Sequence, residues 1–425
     1  MINRLRTRVL PGAVALGCAA TLLMAAGPAR AGTTAGALRP AVAGERGPAA
    51  ERAWRGTVVS VTEVEDLSAG EVDARLTAAG ITAAAAATHG VLAYRVVYRT
   101  IDPEGRPTTA SQLVAVPKDA HHEGTGSERL RVVSWLHGTS VFRGDVASVK
   151  ASSTDRAAAL MFAGSGRTVS APDYLGLGEG PGYHPYGHPG ATVSASVDAL
   201  RAARTIAQRH GRVLDRRVQV SGFSQGGPAT MMLGRALQRG MDPYFRVGAL
   251  APIAGPFDLS GFEAGAAADE VANAPLYLAY FTTAWQKMYG LYDEPGEAFR
   301  APYDQVVEGL FDGHHTPGQI AAALPRTSRE LFTEAFLERM RNPSGELRQR
   351  LHVLDTTCDW RPEVPVHLYH ASGDADVRYS NALHCERQLA DHRAVRRLTD
   401  VGDVDHNGSV RKALPLVLAQ FGDTG

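Results

Sequence analysis

Residues 218–227 read Val-Gln-Val-Ser-Gly-Phe-Ser-Gln-Gly-Gly, an apolar strand that stops at a glycine and gives way to a helix-friendly run over Met231–Leu237. The pattern Gly-x-Ser-x-Gly at 222–226 demands a tight reversal from strand to helix. Small residues are needed where the two elements crowd, and Ser224 is held on the tip with the helix N-terminus aimed at it. A bare pentapeptide of this kind arises by chance, so its weight comes from the setting. The strand before it and the helix after it are what a serine nucleophile requires. Ser221 reads as a strand residue.

The rest of the chain supplies the layers such a turn needs. Short apolar runs at Leu130–Leu136, Arg167–Ala171, Arg217–Val220, Val247–Ile253, Val364–Tyr369 and Val395–Thr399 predict strands. Helical spacing recurs between them, as at Val197, Leu200, Ala203 and Ile206. Buried strands alternating with helices predict an α/β fold, a doubly wound and mostly parallel sheet. Upstream, Ser68-Ala69-Gly70-Glu71 is a capping box opening a helix to about Ala78. Val91–Ile101 and Ser111–Val116, joined by Asp102-Pro103-Glu104-Gly105, predict a hairpin at a sheet edge. No strand pattern appears from Asp258 to Asp359, only helical patterns such as Ala274–Tyr289 and Ser328–Met340. A stretch that long is no plain loop. The domain reading is therefore a core of 54–258 and 363–425 with a helical cap inserted at 259–362.

Ligands of such sheets bind beyond the carboxyl ends of the strands, and the remaining chemistry is sought there. An oxyanion needs preorganised donors. The backbone N–H of Gln225 follows the nucleophile, and Thr139 in His137-Gly138-Thr139 follows an earlier strand. His137 reads as a residue that orders its loop. The acid must come next in the chain and the base last. Gly373-Asp374-Ala375-Asp376 follows Val366–Tyr369 and offers two carboxylates. Asp376, farther into the loop, is preferred as the acid, and Asp374 reads as a turn-former. His406 is the histidine after the last strand and reads as the base.

Basic and acidic residues are equal at 44 each, so no charge excess points to nucleic acid or an anionic membrane. His121-His122 and His314-His315 read as surface pairs. His184 and His188 have helical spacing, but Pro185, Gly187 and Pro189 forbid the helix that would align them on a metal. No phosphate loop or dinucleotide fingerprint occurs, so neither metal nor cofactor is expected. Arg4, Arg6 and Arg8, the apolar run of Ala13–Ala26 and Ala29-Arg30-Ala31 have the form of a secretory signal peptide over residues 1–31, cleaved near Ala31. No membrane-spanning segment is expected after cleavage, and 32–53 reads as a leader. Outside the cytosol, Cys358 and Cys385 are expected to pair, closing a loop worth about 3 kcal/mol.

His137-Gly138-Thr139, Pro172-Asp173-Tyr174-Leu175-Gly176-Leu177-Gly178, the serine motif, Gly373–Asp376 and the His406 loop together resemble the secretory lipases, α/β-hydrolases with a large helical cap. The resemblance spans about residue 90 to the C-terminus. It implies a Ser224–Asp376–His406 triad, an oxyanion hole of Thr139 and Gln225, and lipid or small ester substrates. One departure stands out: many members carry Cys-Ala-Pro-Ser soon after His-Gly-Thr, where this chain has 140–148 as Ser-Val-Phe-Arg-Gly-Asp-Val-Ala-Ser. Tyr174, Tyr280 and Trp285 are expected to contact substrate, the last two from an apolar segment, Leu276–Met288, too all-round to be one buried stripe. A secreted peptidase on the same fold is the alternative, with Asp269-Glu270 or Asp293-Glu294 holding a substrate amine. A non-catalytic binding protein on this scaffold is the third reading.

Overall fold

The computed structural model describes residues 54–82, 84–118 and 129–423. The signal peptide, the leader and His121-His122 lie outside the described residues. The chain opens on an antiparallel meander of β1 (Val58–Leu67), β2 (Val91–Ile101) and β3 (Pro107–Pro117), with β2 and β3 in register from Val91↔Pro117 to Ile101↔Pro107. Between β1 and β2 lies α1 (Ala69–Ala78), started by the Ser68–Glu71 capping box. β1 was not expected. Its acidic residues Glu63, Glu65 and Asp66 break the apolar alternation, and Glu65 is buried because Arg156 pairs with it at 2.9 Å.

Six parallel strands follow: β4 (Leu130–Leu136), β5 (Thr168–Pro172), β6 (Leu214–Phe223), β7 (Arg246–Ile253), β8 (Val366–His370) and β9 (Arg396–Asp400). The sheet order is β1-β2-β3-β5-β4-β6-β7-β8-β9. The order reverses around β4, where β5 lies on one side and β6 on the other. α2 (Thr154–Gly164), α3 (Pro189–Arg209) and α4 (Gly226–Gln238) cross between strands. The buried faces of α2 and α3 are rich in alanine, which lets helix and sheet approach closely.

Between β7 and β8 the chain is helical: α5 (Leu259–Ala267), α6 (Ala274–Tyr289), α7 (Pro295–Ala298), α8 (Val307–Leu310), α9 (Pro317–Ala323), α10 (Ser328–Leu331), α11 (Glu334–Arg341) and α12 (Gly345–Asp355). This insertion has its own apolar core, including Leu278, Phe281, Trp285, Phe299 and Phe332. The single helix expected over Ser328–Met340 is two. α10 stops at Phe332, which bridges to Phe299, and Thr333 caps α11 by accepting from the Phe336 N–H. α13 (Ser380–Asp391) and α14 (His406–Asp423) complete the chain. A disulfide joins Cys358, just after the insertion, to Cys385 on α13, with Cα atoms 5.2 Å apart and both residues fully buried. Among the described residues no helix is long and apolar enough to cross a membrane.

Candidate active site

β6 ends at Phe223 and α4 begins at Gly226, so Ser224 must turn the chain within two residues. It does so at φ +55°, a left-handed conformation that costs a serine free energy and persists only where its surroundings enforce it. They do. The Ser224 N–H donates to Ile253 O at 2.9 Å, its carbonyl accepts from Gly227 N–H at 2.7 Å, and a Cβ at Gly226 would overlap the Leu136 carbonyl. The glycine of the motif is thus demanded by the approach of α4 to β4.

Three strand ends bring the remaining groups to this serine. His406, the first residue of α14 after β9, places Nε2 at 2.9 Å from Ser224 Oγ. Its Nδ1 lies 2.7 Å from Asp374 Oδ2, in the loop after β8. The carboxylate that meets His406 is that of Asp374, where Asp376 was expected. The loop folds back on itself: Asp374 Oδ1 accepts from the backbone N–H groups of Asp376 and Val377, which aims Oδ2 at His406. Burial pushes the Asp374 carboxyl up, but the donors on His370, His406 and Val377 outweigh it and hold it at about 2. His370 is fully buried at the end of β8, donates to Val377 O at 2.7 Å and stands 3.5 Å from Asp374 Oδ2. Sequence reasoning passed over it, though its place four residues before Asp374 was visible.

The loop after β4 runs beside the serine, where a Cβ on Gly138 would stand 3.4 Å from Ser224 Cβ. Thr139 lines the same cleft as Ser224 and His406. Among the described residues the backbone N–H groups of Gln225 and Thr139 donate no hydrogen bond. The Thr139 hydroxyl is 3.0 Å from the Tyr186 hydroxyl. The Gln225 amide is 3.1 Å from His184 Nε2, while His184 Nδ1 is 2.9 Å from Leu175 O. Burial drives His184 down to about 3, so it is a neutral hydrogen-bonding group and not a cation.

The Asp-Tyr-x-Gly-Leu-Gly segment supports these loops from behind. Asp173 is fully buried and accepts from the hydroxyls of Ser111 and Ser148. A Cβ on Gly178, at φ +56°, would overlap both Asp173 and Ser111, so only glycine closes the turn. Tyr174 is 1% exposed and packs on the His137 ring at 4.3 Å. It buttresses the loop after β4 and does not line the cleft. Tyr280 and Trp285 are equally displaced from their expected role. Tyr280 is buried, donating to Ser140 O at 2.9 Å and stacked on Tyr186 at 4.5 Å, and buried Trp285 donates to Tyr186 O at 3.2 Å. Both order the 139–142 and 186 segments from the insertion.

The cleft in front of Ser224 has a volume of about 340 Å³. The insertion contributes Tyr277, from the Leu276–Met288 segment expected to reach substrate, and Asn273, which no sequence signal marked, and the acid loop contributes Asp376, bonded to Asn273 Nδ2 at 3.0 Å. Asp155, at the start of α2, also faces it and accepts from Trp135 Nε1 at 2.9 Å. The acid pairs offered for a substrate amine lie elsewhere. Asp269 accepts from the Ser328 N–H, Glu270 pairs with Arg378 at 3.2 Å, and Asp293-Glu294 is an exposed turn before α7. Among the described residues no group of His, Cys, Asp and Glu could hold a metal ion. His188 accepts from Ala191 N–H as the cap of α3.

Comparison with solved structures gives a consistent architecture. A Legionella pneumophila protein assigned as a hydrolase superimposes with a TM-score of 0.76 at 26% identity, covering 86% of this chain and 96% of its own. A variant of the rice cell wall degrading esterase LipA from Xanthomonas oryzae gives 0.76 at 27% identity, covering 87% and 99%. The chain has the α/β-hydrolase fold. The lipase A of Candida antarctica shares that fold at 14% identity, with a TM-score of 0.57 and coverage of 84% and 79%. No family model and no curated protein sequence matches the chain.

Proposed function

We propose that the protein is an exported carboxylic-ester hydrolase working through an acyl-enzyme. The observation that carries this is the continuous relay Ser224 Oγ–His406–Asp374 at the strand ends of an α/β-hydrolase sheet. Likeness to an esterase over 87% of the chain supports the reaction class. Ser224 Oγ attacks the ester carbonyl as its proton passes to His406 Nε2. The ionised Asp374 steadies the imidazolium that forms, and the N–H groups of Gln225 and Thr139 receive the oxyanion. His406 then gives the proton to the leaving alcohol. Water, deprotonated by the same imidazole, attacks the acyl-Ser224 ester and releases the carboxylic acid. The insertion, as a cap over 259–362, supplies one wall of the cleft through Asn273 and Tyr277. The signal-like N-terminus and the Cys358–Cys385 disulfide favour export.

The test is Ser224→Ala, assayed on nitrophenyl esters of increasing acyl length beside aminoacyl anilides. The variant should keep its melting temperature and lose about three or more orders of magnitude in kcat. Retention of a tenth of the wild-type rate would remove Ser224 as nucleophile. Anilide cleavage with negligible ester turnover would replace the esterase with a peptidase.

A further inference from the structure

Two hydrogen bonds beside the relay start from one short segment, Tyr183–Tyr186, and each ends on a residue proposed to receive the oxyanion. His184 Nδ1 stands 2.9 Å from the Leu175 carbonyl, which can only accept, so the proton of the neutral ring is on Nδ1. Nε2 is left as a bare acceptor, and the Gln225 amide donates to it at 3.1 Å. The tautomer thus decides which way the Gln225 amide faces. Its Oε1 is buried without a partner, so His184 makes the only hydrogen bond of this side chain among the described residues. Two positions along, the Tyr186 hydroxyl meets the Thr139 hydroxyl at 3.0 Å. Burial keeps both groups neutral, driving the His184 imidazole down and the Tyr186 phenol up.

The segment is itself gripped from two sides. A Cβ on Gly176, at φ +74°, would overlap the Tyr183 carbonyl and the His184 nitrogen, so the loop after β5 closes directly on its backbone. From the insertion, Tyr280 stacks on the Tyr186 ring and Trp285 donates to the Tyr186 carbonyl. His184 also stacks on Tyr174 at 5.9 Å. Its other end meets a delicate piece of backbone. Gln225 lies at φ −46°, directly after the left-handed Ser224, and its side chain makes no capping bond to its own helix. The side chain reaches back to His184 instead. Oxyanion donors act only if they stand about 2.7–3.1 Å from the oxygen before its charge develops. A misplacement of about 1 Å can cost about a hundredfold in rate. The N–H and the side chain of Gln225 leave the same Cα, so fixing the amide restrains the N–H.

We infer that His184 and Tyr186 are positioning residues of the oxyanion hole, His184 holding Gln225 and Tyr186 holding Thr139, on a segment clamped by the insertion. The inference rests on the serine-hydrolase reading above. It gives the helical insertion a part in the chemistry without contact to substrate: its aromatic rings fix the segment that fixes the two donors.

The two bonds of His184 can be separated with the full chain. In His184→Asn the amide reaches the Nδ1 position, keeping Leu175 and releasing Gln225. In His184→Gln it reaches the Nε2 position, offering Gln225 an acceptor and releasing Leu175. On a nitrophenyl acetate ester the asparagine variant should lose about tenfold or more in kcat with KM changed less than about twofold, and the glutamine variant should recover most of that loss. An alkyl boronic acid adds to Ser224 Oγ and presents a tetrahedral oxygen to the hole. Its inhibition constant should rise about tenfold in His184→Asn, in step with kcat. Tyr186→Phe keeps the ring on Tyr280 and should show the same pattern of falling kcat and weaker boronate binding, which carries the test at Thr139 should His184→Asn fail to fold. Equal losses in the asparagine and glutamine variants, a loss confined to KM, or unchanged boronate affinity in His184→Asn and Tyr186→Phe would each overturn the inference. Wild-type protein that binds the boronate but cleaves no ester, with that binding weakened in His184→Asn, would overturn the esterase reading and leave the positioning role standing.

Discussion

Asp374 is held by more donors than any other carboxylate at the site: two backbone N–H groups on Oδ1 and His406 on Oδ2, with His370 behind. This predicts a sharp asymmetry between neighbours. Asp374→Asn leaves an amide that cannot stabilise the imidazolium and can select the wrong tautomer, at a cost of about 10⁴ in kcat. Asp376→Asn keeps an acceptor oxygen, leaves the triad alone and should cost less than about tenfold in kcat on a small ester. Steady-state kinetics of the two purified variants decides it, and equal losses would mean the loop has no single acid. The sequence placed two carboxylates in the right loop, and Ser224, His406, Thr139 and Gln225 where the structure brings them together. It could not say which carboxylate faced His406. That depends on Asp374 Oδ1 capping the two following N–H groups, a local turn whose geometry residue spacing does not encode. Tyr174, Tyr280 and Trp285 misled for a related reason. Aromatic side chains near a site look like substrate contacts, yet a ring buries most area when it holds the loops that hold the site.

At the scale of elements, the strands buried on both faces were legible because apolar runs between helices leave little choice, whereas β1, studded with acids, was not. The insertion was legible as helical but not in all its breaks, one of which falls where Thr333 caps a new helix. Its interior also carries a feature that composition hides. Glu263 on α5 is 1% exposed, and its Oε2 has no partner. Burial pushes its carboxyl well above the usual range. The folded state therefore holds this proton more tightly than the unfolded chain does. Its stabilising contribution is complete below the unfolded value of 4.5 and is lost as pH rises toward the raised folded value, at up to about 1.4 kcal/mol per pH unit. Glu263→Gln mimics the neutral acid and should remove that slope. Melting temperatures from about pH 4.5 to 8 should show the variant gaining on wild type as pH rises. Parallel curves would mean that Glu263 has found water or a cation.

Across the whole molecule, the fold buries ionisable groups of two kinds, and their opposition shapes how it responds to acid. His184, His188 and His367 have folded values pushed down by burial, to about 3 for His184 and about 4 for His367. Below the unfolded value of 6.5 the unfolded chain takes up protons these sites refuse, so they favour unfolding as pH falls, each by up to about 1.4 kcal/mol per unit. Asp155, Asp173, Asp198, Glu263, Asp355 and Asp376 have values raised by burial, so the folded state takes up their protons first and is favoured as pH falls toward their unfolded range. As pH falls from neutrality the two sets act against each other. Near 4 the unfolded carboxylates protonate as well, so the second set has nothing more to add. The refusal of His184 continues to about 3, and Asp374, depressed from 3.8 to about 2, now loses its contribution of about 2 kcal/mol as pH falls through that window. All remaining terms then point the same way. Thermal melts should therefore drop more steeply below about pH 4, where the terms add, than between about pH 7 and 5, where they oppose. His184→Gln, which removes the largest of the histidine terms, should lose less melting temperature between about pH 7 and 4 than wild type even if it lowers stability at pH 7. A melting temperature that falls steadily from neutrality would mean the histidines outweigh the buried acids throughout.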